Sequence, residues 1–402
     1  MKTKHKIGIC AIAILLAAVG TGIFLWLTRI PVIAFYRLQK NEISALKSVI
    51  GNDFSYLTYD NDSSLYSQIK KKRPDLIFAP SGKPLETAVS SAKKVSLPLS
   101  LLADMTSSIR NSAPQKENAI SAVPIVSGHL EIGINMNMLR RTGIKTIVSW
   151  EDIEKFASEA KKHYPNATIF FAGKNGPLVL DIIGALAEAL DGKNAYDTAI
   201  KMIDEAIKES ASGKRMFNGD IVAQSLAGNP DGPLYDAVQL LKKWYKAGLI
   251  SDDSFKINKD TVSAFMQNDM ASVVVMSLSD HRAIDTNVIK PYTSIYFPSD
   301  SPATTRAFTA PVIFAVPQTN NKKILELTQK LVSEETQESL SRATGLAPVL
   351  ARCRTPDRQA DDARYWVAAT NAPLAGLSRE HALSDEQLQA LGIGLSMLIR
   401  LN

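Results

Sequence analysis

The sequence predicts an α/β protein of two lobes that follows one N-terminal transmembrane helix. Three observations carry this prediction. Residues 7–27 form an uncharged apolar run, strands and helices alternate from residue 31, and 402 residues are enough for more than one hydrophobic core. The composition, 45% hydrophobic and 21% charged, is that of a folded chain rather than a disordered one.

The apolar run is flanked by basic residues, with three lysines before it and Arg29 after it. About twenty apolar residues can cross a bilayer as a helix, and the basic end stays in the cytoplasm. We therefore expect residues 1–29 to be an uncleaved signal anchor in the cytoplasmic membrane, with the rest of the chain on the periplasmic or extracellular side. The alternative is a cleaved signal peptide ending at Gly20 and a soluble periplasmic protein. Lipidation at Cys10 is disfavoured because too few apolar residues precede it.

The segment after this run repeats strand and helix. Compact apolar strands are expected over residues 31–36, 54–59 and 75–79, with a helix capped by Asn41 between the first two. Strands that alternate with helices form a parallel sheet covered on both faces, and such sheets bind ligands at the carboxyl ends of their strands. Ser81 and Gly82 follow the third strand, where a hydroxyl and backbone NH groups can face a ligand, so we take them as candidate ligand-binding residues; the alternative is a plain loop.

Helices dominate beyond residue 134. Ser149 and Asp152 form a capping box before a helix with one apolar face. Pro233 suits the first turn of a second helix, which Gly248 ends, and a third helix follows Asn320. No internal repeat, low-complexity tract or long linker divides the chain.

The charge and the cysteines exclude several classes of protein. Lys and Arg number 46 and Asp and Glu number 40, a net charge of +6, but four of the cations and no acid lie before residue 30. A nucleic-acid-binding domain concentrates its basic charge on the folded part, so we expect no nucleic-acid partner. With only Cys10 and Cys353, the chain has no disulfide framework and no cysteine-rich metal site.

The search for catalytic motifs finds none. The sequence has no Gly-x-Ser-x-Gly elbow and no His-Glu-x-x-His zinc helix. Ser81, Gly82 and Lys83 resemble a phosphate loop only superficially, because Ile77 stands where its first glycine should be and Pro84 follows the lysine. The histidines lack metal-ligand spacing. We therefore predict a protein that is not an enzyme and uses no cofactor or metal.

Four segments carry a recognisable pattern in a fixed order. The first is residues 124–135, reading Pro-Ile-Val-Ser-Gly-His-Leu-Glu-Ile-Gly-Ile-Asn, with the helix ending at Gly143 and the sequence Ser149-Trp150-Glu151-Asp152. The others are residues 242–249, residues 264–271, and residues 314–317 with 345–349. Together they resemble the bacterial extracellular solute-binding protein family, which includes the maltose-binding, sugar-binding type of ABC importers.

The resemblance implies a two-lobed periplasmic-binding-protein fold of type II, with residues 30–125 plus about 270–313 in lobe 1 and residues 126–269 plus about 314–402 in lobe 2. It also implies a receptor that closes by hinge motion around a small-molecule solute, with a carbohydrate expected, and then meets ABC permease subunits in the membrane. We expect a monomer. The alternative function is a membrane-tethered sensory or interaction ectodomain that keeps the fold without transport.

The candidate ligand-binding residues follow from strand ends, chain breaks and the resemblance. Members of the family often carry a Trp in the loop after the Ala-Met strand, but this chain has Leu278 and Ser279 there. Tyr365 and Trp366 are therefore the expected aromatic partners for a sugar ring. The full set is Ser81, Gly82, Ser127, Gly128, His129, Lys174, Asn175, Gly176, Ser277, Ser279, Asp280, Tyr365 and Trp366.

Overall fold

The computed structural model describes residues 29–60, 63–92, 95–299, 307–370 and 373–401. The predicted anchor over residues 7–27 lies outside these ranges. Among the helices that the structure describes, none combines the length and the apolar character needed to cross a membrane.

Short strands and longer helices alternate along the described chain. The strands are β1 (Val32–Phe35), β2 (Ser55–Thr58), β3 (Leu76–Pro80), β4 (Leu97–Pro98), β5 (Gln115–Lys116), β6 (Ala119–Ile120), β7 (Val123–Ser127), β8 (Leu130–Asn135), β9 (Thr168–Phe170), β10 (Ala271–Ser277), β11 (Tyr292–Ile295), β12 (Phe308–Thr309), β13 (Val312–Pro317), β14 (Ala347–Pro348) and β15 (Pro373–Leu374). The helices are α1 (Lys40–Ile50), α2 (Leu65–Lys71), α3 (Lys83–Ser91), α4 (Ser107–Ser112), α5 (Met136–Thr142), α6 (Trp150–His163), α7 (Gly176–Asp191), α8 (Lys193–Ala211), α9 (Gly219–Ala227), α10 (Tyr235–Lys246), α11 (Lys259–Gln267), α12 (Leu278–Arg282), α13 (Thr286–Ile289), α14 (Lys322–Leu331), α15 (Glu334–Thr344), α16 (Arg358–Ala368) and α17 (Asp385–Arg400).

The first lobe is built on a sheet with the strand order β14-β7-β13-β3-β1-β2. β1 pairs in parallel with both β2 and β3, as the alternation of strands and helices predicts. β3 and β13 are buried along their whole length because the sheet is covered on both faces, and their apolar residues form one hydrophobic core with β1 and β7.

The second lobe is built on a separate sheet with the order β11-β8-β10-β9. α7 is buried along almost its whole length and packs against α17 and α10, so the lobe has a helical core beside its sheet. The buried residues of this lobe form a second hydrophobic cluster, distinct from the first. Two clusters on two sheets confirm the predicted two-lobed α/β architecture.

The chain passes from the first lobe to the second between β7 and β8, returns between β11 and β13, and passes again between α16 and α17. The two later passages lie side by side, where β12 pairs in parallel with β15.

The strand pairing corrects the predicted lobe boundaries in two places. β10 and β11 lie antiparallel to β8 and belong to the second lobe, whereas residues 270–313 were assigned to lobe 1. β13 lies antiparallel to β3 and β7 in the first sheet, whereas residues 314–402 were assigned to lobe 2. An apolar strand shows in the sequence, but its partner depends on distant residues, and the prediction had no information on pairing.

The predicted helix starts are close to those of the structure. The capping box is present at Ser149, whose hydroxyl accepts from Asp152 N at 3.1 Å. Gln39, not Asn41, caps α1, and α10 begins at Tyr235, two residues beyond Pro233. Differences of one or two residues are the ordinary uncertainty of a helix end.

Candidate functional site

The candidate site is the cleft between the lobes, at the carboxyl ends of β1 and β3. The residues after β1 reach the second lobe, where Arg37 Nη2 donates to Leu383 O at 2.8 Å. Gln39 Nε2 lies 3.5 Å from Asp280 Oδ1. Polar side chains of both lobes therefore meet where a parallel sheet places its ligands.

Gly82 allows the lobes to approach closely. It begins α3 with a φ of +87°, a conformation that favours glycine. A Cβ at this position would lie 2.5 Å from the carbonyl oxygen of Arg379 in the second lobe. The glycine predicted from the end of the third strand is thus an interlobe contact.

A central cavity of about 80 Å³ lies between these contacts. It is enclosed by residues of both lobes and of the passages between them. The lining residues are Gln39, His129, Leu130, Asn175, Pro177, Leu178, Asp181, Lys259, Ser277, Asp280, Thr309, Pro311, Ser378 and Arg379.

Asp181 of α7 is one of the two carboxylates among the described residues that line this cavity. It accepts from Ser378 N at 2.8 Å and from Ser378 Oγ at 2.9 Å, and Arg379 Nη1 lies 3.2 Å away. Burial raises the pKa of Asp181 above its ordinary value, and these bonds and the Arg379 charge offset only part of that rise. The group is held in place and keeps acceptor capacity for a ligand hydroxyl.

Asp280 is the second carboxylate that lines the cavity, and it lies in the first turn of α12. Lys259 Nζ donates to its Oδ1 at 2.9 Å, and Ser277 Oγ donates to its Oδ2 at 2.7 Å. Because Gln39 reaches the same Oδ1 from the first lobe, Asp280 connects the two lobes.

Next to Asp280 along the chain, Ser279 contacts a buried carboxylate of the first lobe, that of Glu42. Ser279 Oγ donates to Glu42 Oε1 across the lobe boundary, and Glu42 also accepts from Gln39 N at 2.8 Å. Burial raises the pKa of Glu42 even though the Ser279 bond opposes the rise. Ser279 therefore contributes to the contact between the lobes. Members of the family often have an aromatic residue in this loop, which would stack on the ligand.

Two further cavities flank the central one. The Lys83 cavity, of about 230 Å³, is lined by Tyr36, Arg37, Ser63, Ser64, Leu65, Lys83, Pro84, Thr87, His381, Ala382, Leu383, Ser384 and Gln387. The Val262 cavity, of about 410 Å³, is lined by Gln39, Ala172, Leu178, Lys259, Asp260, Val262, Ser263, Gln267, Val275, Met276, Asp280, Ala283, Ile284, Asp285 and Val288. The Val262 cavity shares Gln39, Lys259 and Asp280 with the central cavity, so the cleft is elongated.

A buried polar cluster lies beside the cleft, where β7 passes into β8. Glu131 has its Oε1 2.5 Å from His281 Nδ1 and accepts from Ser294 Oγ at 2.7 Å, and Gln359 of the first lobe donates to the same carboxylate. Burial alone would raise the pKa of Glu131, but the bond and the charge interaction with His281, helped by the bond from Ser294, hold it below its ordinary value. His129 Nε2 lies 3.5 Å from Glu131 Oε2, and burial lowers the pKa of this imidazole.

Four of the predicted ligand-binding residues line the central cavity: His129, Asn175, Ser277 and Asp280. Asn175 also caps α7 by accepting from Leu178 N at 3.3 Å. Gly82 and Ser279 contribute to contacts between the lobes.

Five other predicted residues serve the framework instead. Ser81 Oγ accepts from Val312 N at 3.1 Å, which joins β3 to β13, and Gly128 N donates to Pro311 O at 2.9 Å. Ser127 donates to the next carbonyl and is buried. Lys174 is exposed and bonds through its backbone, while Gly176 packs against α17.

The two predicted aromatic residues do not line any of the three cavities. Tyr365 is 74% exposed on α16. Trp366 packs against His129, Tyr296 and Phe308, with ring centroids 5.6, 5.7 and 5.9 Å away. Adjacent residues on a helix point about 100° apart, so one ring is in solvent and the other in the packing between the lobes.

The structure adds cavity residues that sequence reasoning missed, above all Gln39, Asp181, Lys259 and Arg379. Gln39 follows the carboxyl end of β1, so the rule that selected Ser81 could have found it. Asp181 and Arg379 are separated by 198 residues, and no local pattern connects them. The described residues contain no group of three or more His, Cys, Asp or Glu arranged to hold a metal ion.

Comparison with known proteins gives a family and a fold. The family model described as "Bacterial extracellular solute-binding protein" matches residues 62–365. No curated protein matches this sequence.

Solved structures resemble the chain over most of its length at low identity. The bacterial solute receptor AcbH, with an exclusive substrate preference for β-D-galactopyranose, aligns with a TM-score of 0.65 and 10% identity over 92% of this chain and 96% of its own. A sugar transporter from Bacillus licheniformis in complex with stachyose aligns with a TM-score of 0.64 and 11% identity over 92% of this chain and 96% of its own. A chitin oligosaccharide binding protein aligns with a TM-score of 0.61 and 13% identity over 92% of this chain and 97% of its own. At this identity the likeness establishes the fold.

Proposed function

The chain belongs to the bacterial extracellular solute-binding protein family, and from this membership we propose that it is the receptor of an ABC importer and binds a carbohydrate between its lobes. The family consists of binding proteins, in agreement with the prediction that the chain is not an enzyme. The observation that carries the proposal is the central cavity, which both lobes line with amide, hydroxyl, carboxylate and cationic groups.

The chemistry of the cavity supports a polyhydroxylated ligand. Each sugar hydroxyl both donates and accepts a hydrogen bond, so it needs acceptors such as Asp181 and Asp280 beside donors such as Asn175 and Lys259. Charged partners make such bonds stronger than neutral ones. The solved structures of similar fold include proteins that bind galactopyranose, stachyose and chitin oligosaccharide, which supports the same ligand class.

The mode of recognition we propose is mainly polar. Among the described residues that line the three cavities, Tyr36 is the one Phe, Tyr or Trp. It lines the Lys83 cavity, at the side of the cleft. Hydrogen bonds rather than a stacked ring would then supply most of the discrimination between solutes.

Binding would close the cleft by movement about the passages between the lobes. Periplasmic binding proteins are an established example of hinge closure around a ligand. A ligand favours the closed state only to the extent that it binds that state more tightly than the open one. Asp181 in the second lobe and Gln39 in the first both line the central cavity, so one solute can contact both lobes.

We propose that residues 7–27 hold this receptor in the cytoplasmic membrane, near its permease, because the run is long enough to span and its basic flank favours the cytoplasm. Amino-terminal sequencing of the protein from a membrane fraction tests this. A mature chain that starts near Thr21, or one acylated at Cys10, would show that the anchor is removed or replaced by a lipid.

A thermal-shift screen of the purified protein against sugars, polyols, amino acids and peptides tests the ligand class. A ligand at a hundred times its Kd stabilises the folded state by about 2.7 kcal/mol, which is readily measured. We expect stabilisation by one or more sugars. Stabilisation by amino acids or peptides alone would overturn the carbohydrate assignment, and the absence of any ligand would favour the sensory or interaction ectodomain.

A further inference from the structure

The Lys83 cavity has a charge pattern that the rest of the cleft lacks. Among the described residues that line it, Arg37, Lys83 and His381 are basic and none is acidic. The central cavity, by contrast, is lined by carboxylates as well as cations. The Lys83 cavity also spans both lobes, since Arg37 and Lys83 come from the first and His381 from the second.

The acids that pair with these cations lie outside the lining. Lys83 Nζ is 2.9 Å from Glu86 Oε2, one turn along α3, and Arg37 Nη2 is 3.5 Å from Asp385 Oδ1. Both acids are well exposed, with 62% and 46% of their side-chain surface accessible. The pair of Lys83 with Glu86 is exposed on both sides and therefore weak, so a ligand anion can compete for Lys83 from the cavity side. The Arg37 side chain is only 11% exposed, so its pair with Asp385 is less screened by solvent.

His381 supplies an independent sign of a ligand. The side chain is buried, its Nδ1 lies 2.9 Å from Asp204 Oδ1, and its Nε2 has no hydrogen-bond partner. Asp204 does not line the cavity, and Nε2 lies on the other edge of the ring. While neutral, this nitrogen accepts a bond from a ligand hydroxyl, and once protonated it donates one to an anion.

Two helices begin at the same cavity. α3 starts at Lys83 behind Gly82, which offers no side chain to cap its first amides. α17 starts after Ser384, whose hydroxyl already accepts from Gln387 N, so of these two helices α3 offers the uncapped amides. The positive end of such a helix favours negative charge nearby. This arrangement differs from a phosphate loop, which the sequence excludes, because Arg37, Lys83 and the imidazole of His381 come from three separate segments.

We propose that the Lys83 cavity is an anion subsite of the cleft and that the carbohydrate ligand therefore carries a carboxylate or phosphate group. This inference rests on the proposed carbohydrate-binding function and names the class of sugar. The cavity volume of about 230 Å³ suits one small substituted ring rather than a long oligosaccharide. Because residues of both lobes line this cavity, a ligand group bound in it would also help to close the cleft.

Isothermal titration of the purified full chain tests the proposal with paired sugars. The set is glucose with glucuronate and glucose 6-phosphate, and galactose with galacturonate and galactose 6-phosphate, with inorganic phosphate alone as a probe of the subsite. We expect an acidic sugar to bind at least tenfold more tightly than its neutral partner, with the preference decreasing as salt is raised. Preference for the uronic acid assigns a carboxylate, and preference for the sugar phosphate assigns a phosphate.

Variants identify the subsite. Lys83→Met should reduce the ratio of acidic to neutral affinity at least tenfold, and His381→Asn, which keeps a donor towards Asp204, should reduce it by a smaller factor. Lys322→Met is the matched control, because Lys322 also lies in the first turn of a first-lobe helix and pairs with an acid one turn on, Glu326, at 3.7 Å. Lys322→Met should leave the ratio unchanged.

The outcomes separate this inference from the proposed function. Neutral sugars that bind as tightly as acidic ones, or a Lys83→Met ratio equal to that of Lys322→Met, would overturn the anion subsite and leave a sugar receptor. Phosphate that binds through Lys83 when no sugar binds would support the subsite and overturn the carbohydrate assignment. Binding of none of these compounds would overturn both.

Discussion

Acidic side chains at the boundary between the lobes are buried to an unusual degree. Glu42, Asp181 and Glu380 all have a pKa raised by burial, which disfavours the charged form. Asp181 is bonded to Ser378 and Arg379, and Glu42 to Ser279. Glu380 is less well supported, since Tyr196 Oη donates to it at 3.5 Å and the nearby Glu86 and Asp181 charges repel it.

Replacing Glu380 tests this account through its pH dependence. Burial raises the pKa of Glu380 to about 7 in the folded chain, whereas its ordinary value is 4.5. Between these two pH values the folded chain keeps the proton on Glu380 and the unfolded chain has released it. Stability contributed by this group therefore falls as pH rises from 4.5 to 7. Gln keeps the acceptor oxygen without the charge. Glu380→Gln should thus raise the free energy of unfolding at pH 8 by up to about 3 kcal/mol and leave it nearly unchanged at pH 4.5.

Urea unfolding of the parent and the variant at both pH values provides the measurement. Glu205→Gln, an exposed glutamate in the middle of α8, is the control and should change stability little at either pH. A gain for Glu380→Gln that is the same at pH 4.5 and pH 8 would mean that charge burial is not its cause.

The secondary structure elements differ in how well the sequence predicts them. The first three strands and the helix after Ser149 follow from local apolar patterns and a capping box, and the structure contains them. The prediction places β10 and β13 in the wrong lobes because antiparallel pairing joins each to a strand more than a hundred residues away. The cavity carboxylate Asp181 was missed for the same reason, since its partner Arg379 comes from a distant segment.

α17 shows how packing can override a weak local signal. Gly392 and Gly394 lower its helix propensity, yet the glycines let three helices approach closely. A Cβ on Gly392 would lie 2.3 Å from Gly176 Cα of α7, and one on Gly219 of α9 would lie 2.5 Å from the backbone of Ala390. Backbone contact of this kind cannot be relieved by moving a side chain.

Gly392→Ala should therefore destabilise the second lobe by about 1–3 kcal/mol, although Ala favours a helix over Gly. Gly394→Ala in the same helix is the matched comparison. Its new Cβ would meet Ala223 Cβ at 3.0 Å and Gly219 O at 3.1 Å, which is tight but much less severe than 2.3 Å from Gly176 Cα, so its loss should be smaller. Thermal and urea unfolding of the two variants measure the difference, and equal effects would contradict the close helix crossing as the cause.

The molecule as a whole consists of two hydrophobic cores joined by polar contacts. The cores draw mainly on different sheets, whereas the cleft contacts are hydrogen bonds and ion pairs such as Arg37 with Leu383 and Gln39 with Asp280. Interfaces of this polar kind between lobes permit relative motion more readily than a continuous apolar core. The fold therefore has the physical properties that hinge closure requires.

Small-angle scattering tests that closure directly. A single compact body of this length has a radius of gyration of about 21 Å, and an open two-lobed molecule exceeds this value. Because a solute in the central cavity contacts both lobes, a saturating sugar found by thermal shift should lower the radius of gyration towards the compact value. Arg37→Ala, which removes the bond to Leu383 at 2.8 Å, should raise the radius of the ligand-free protein, since one contact that holds the lobes together is lost. A sugar that binds tightly without any change in scattering would mean that the lobes are fixed in this arrangement, and the receptor would then have to signal its loaded state to a permease by some means other than closure.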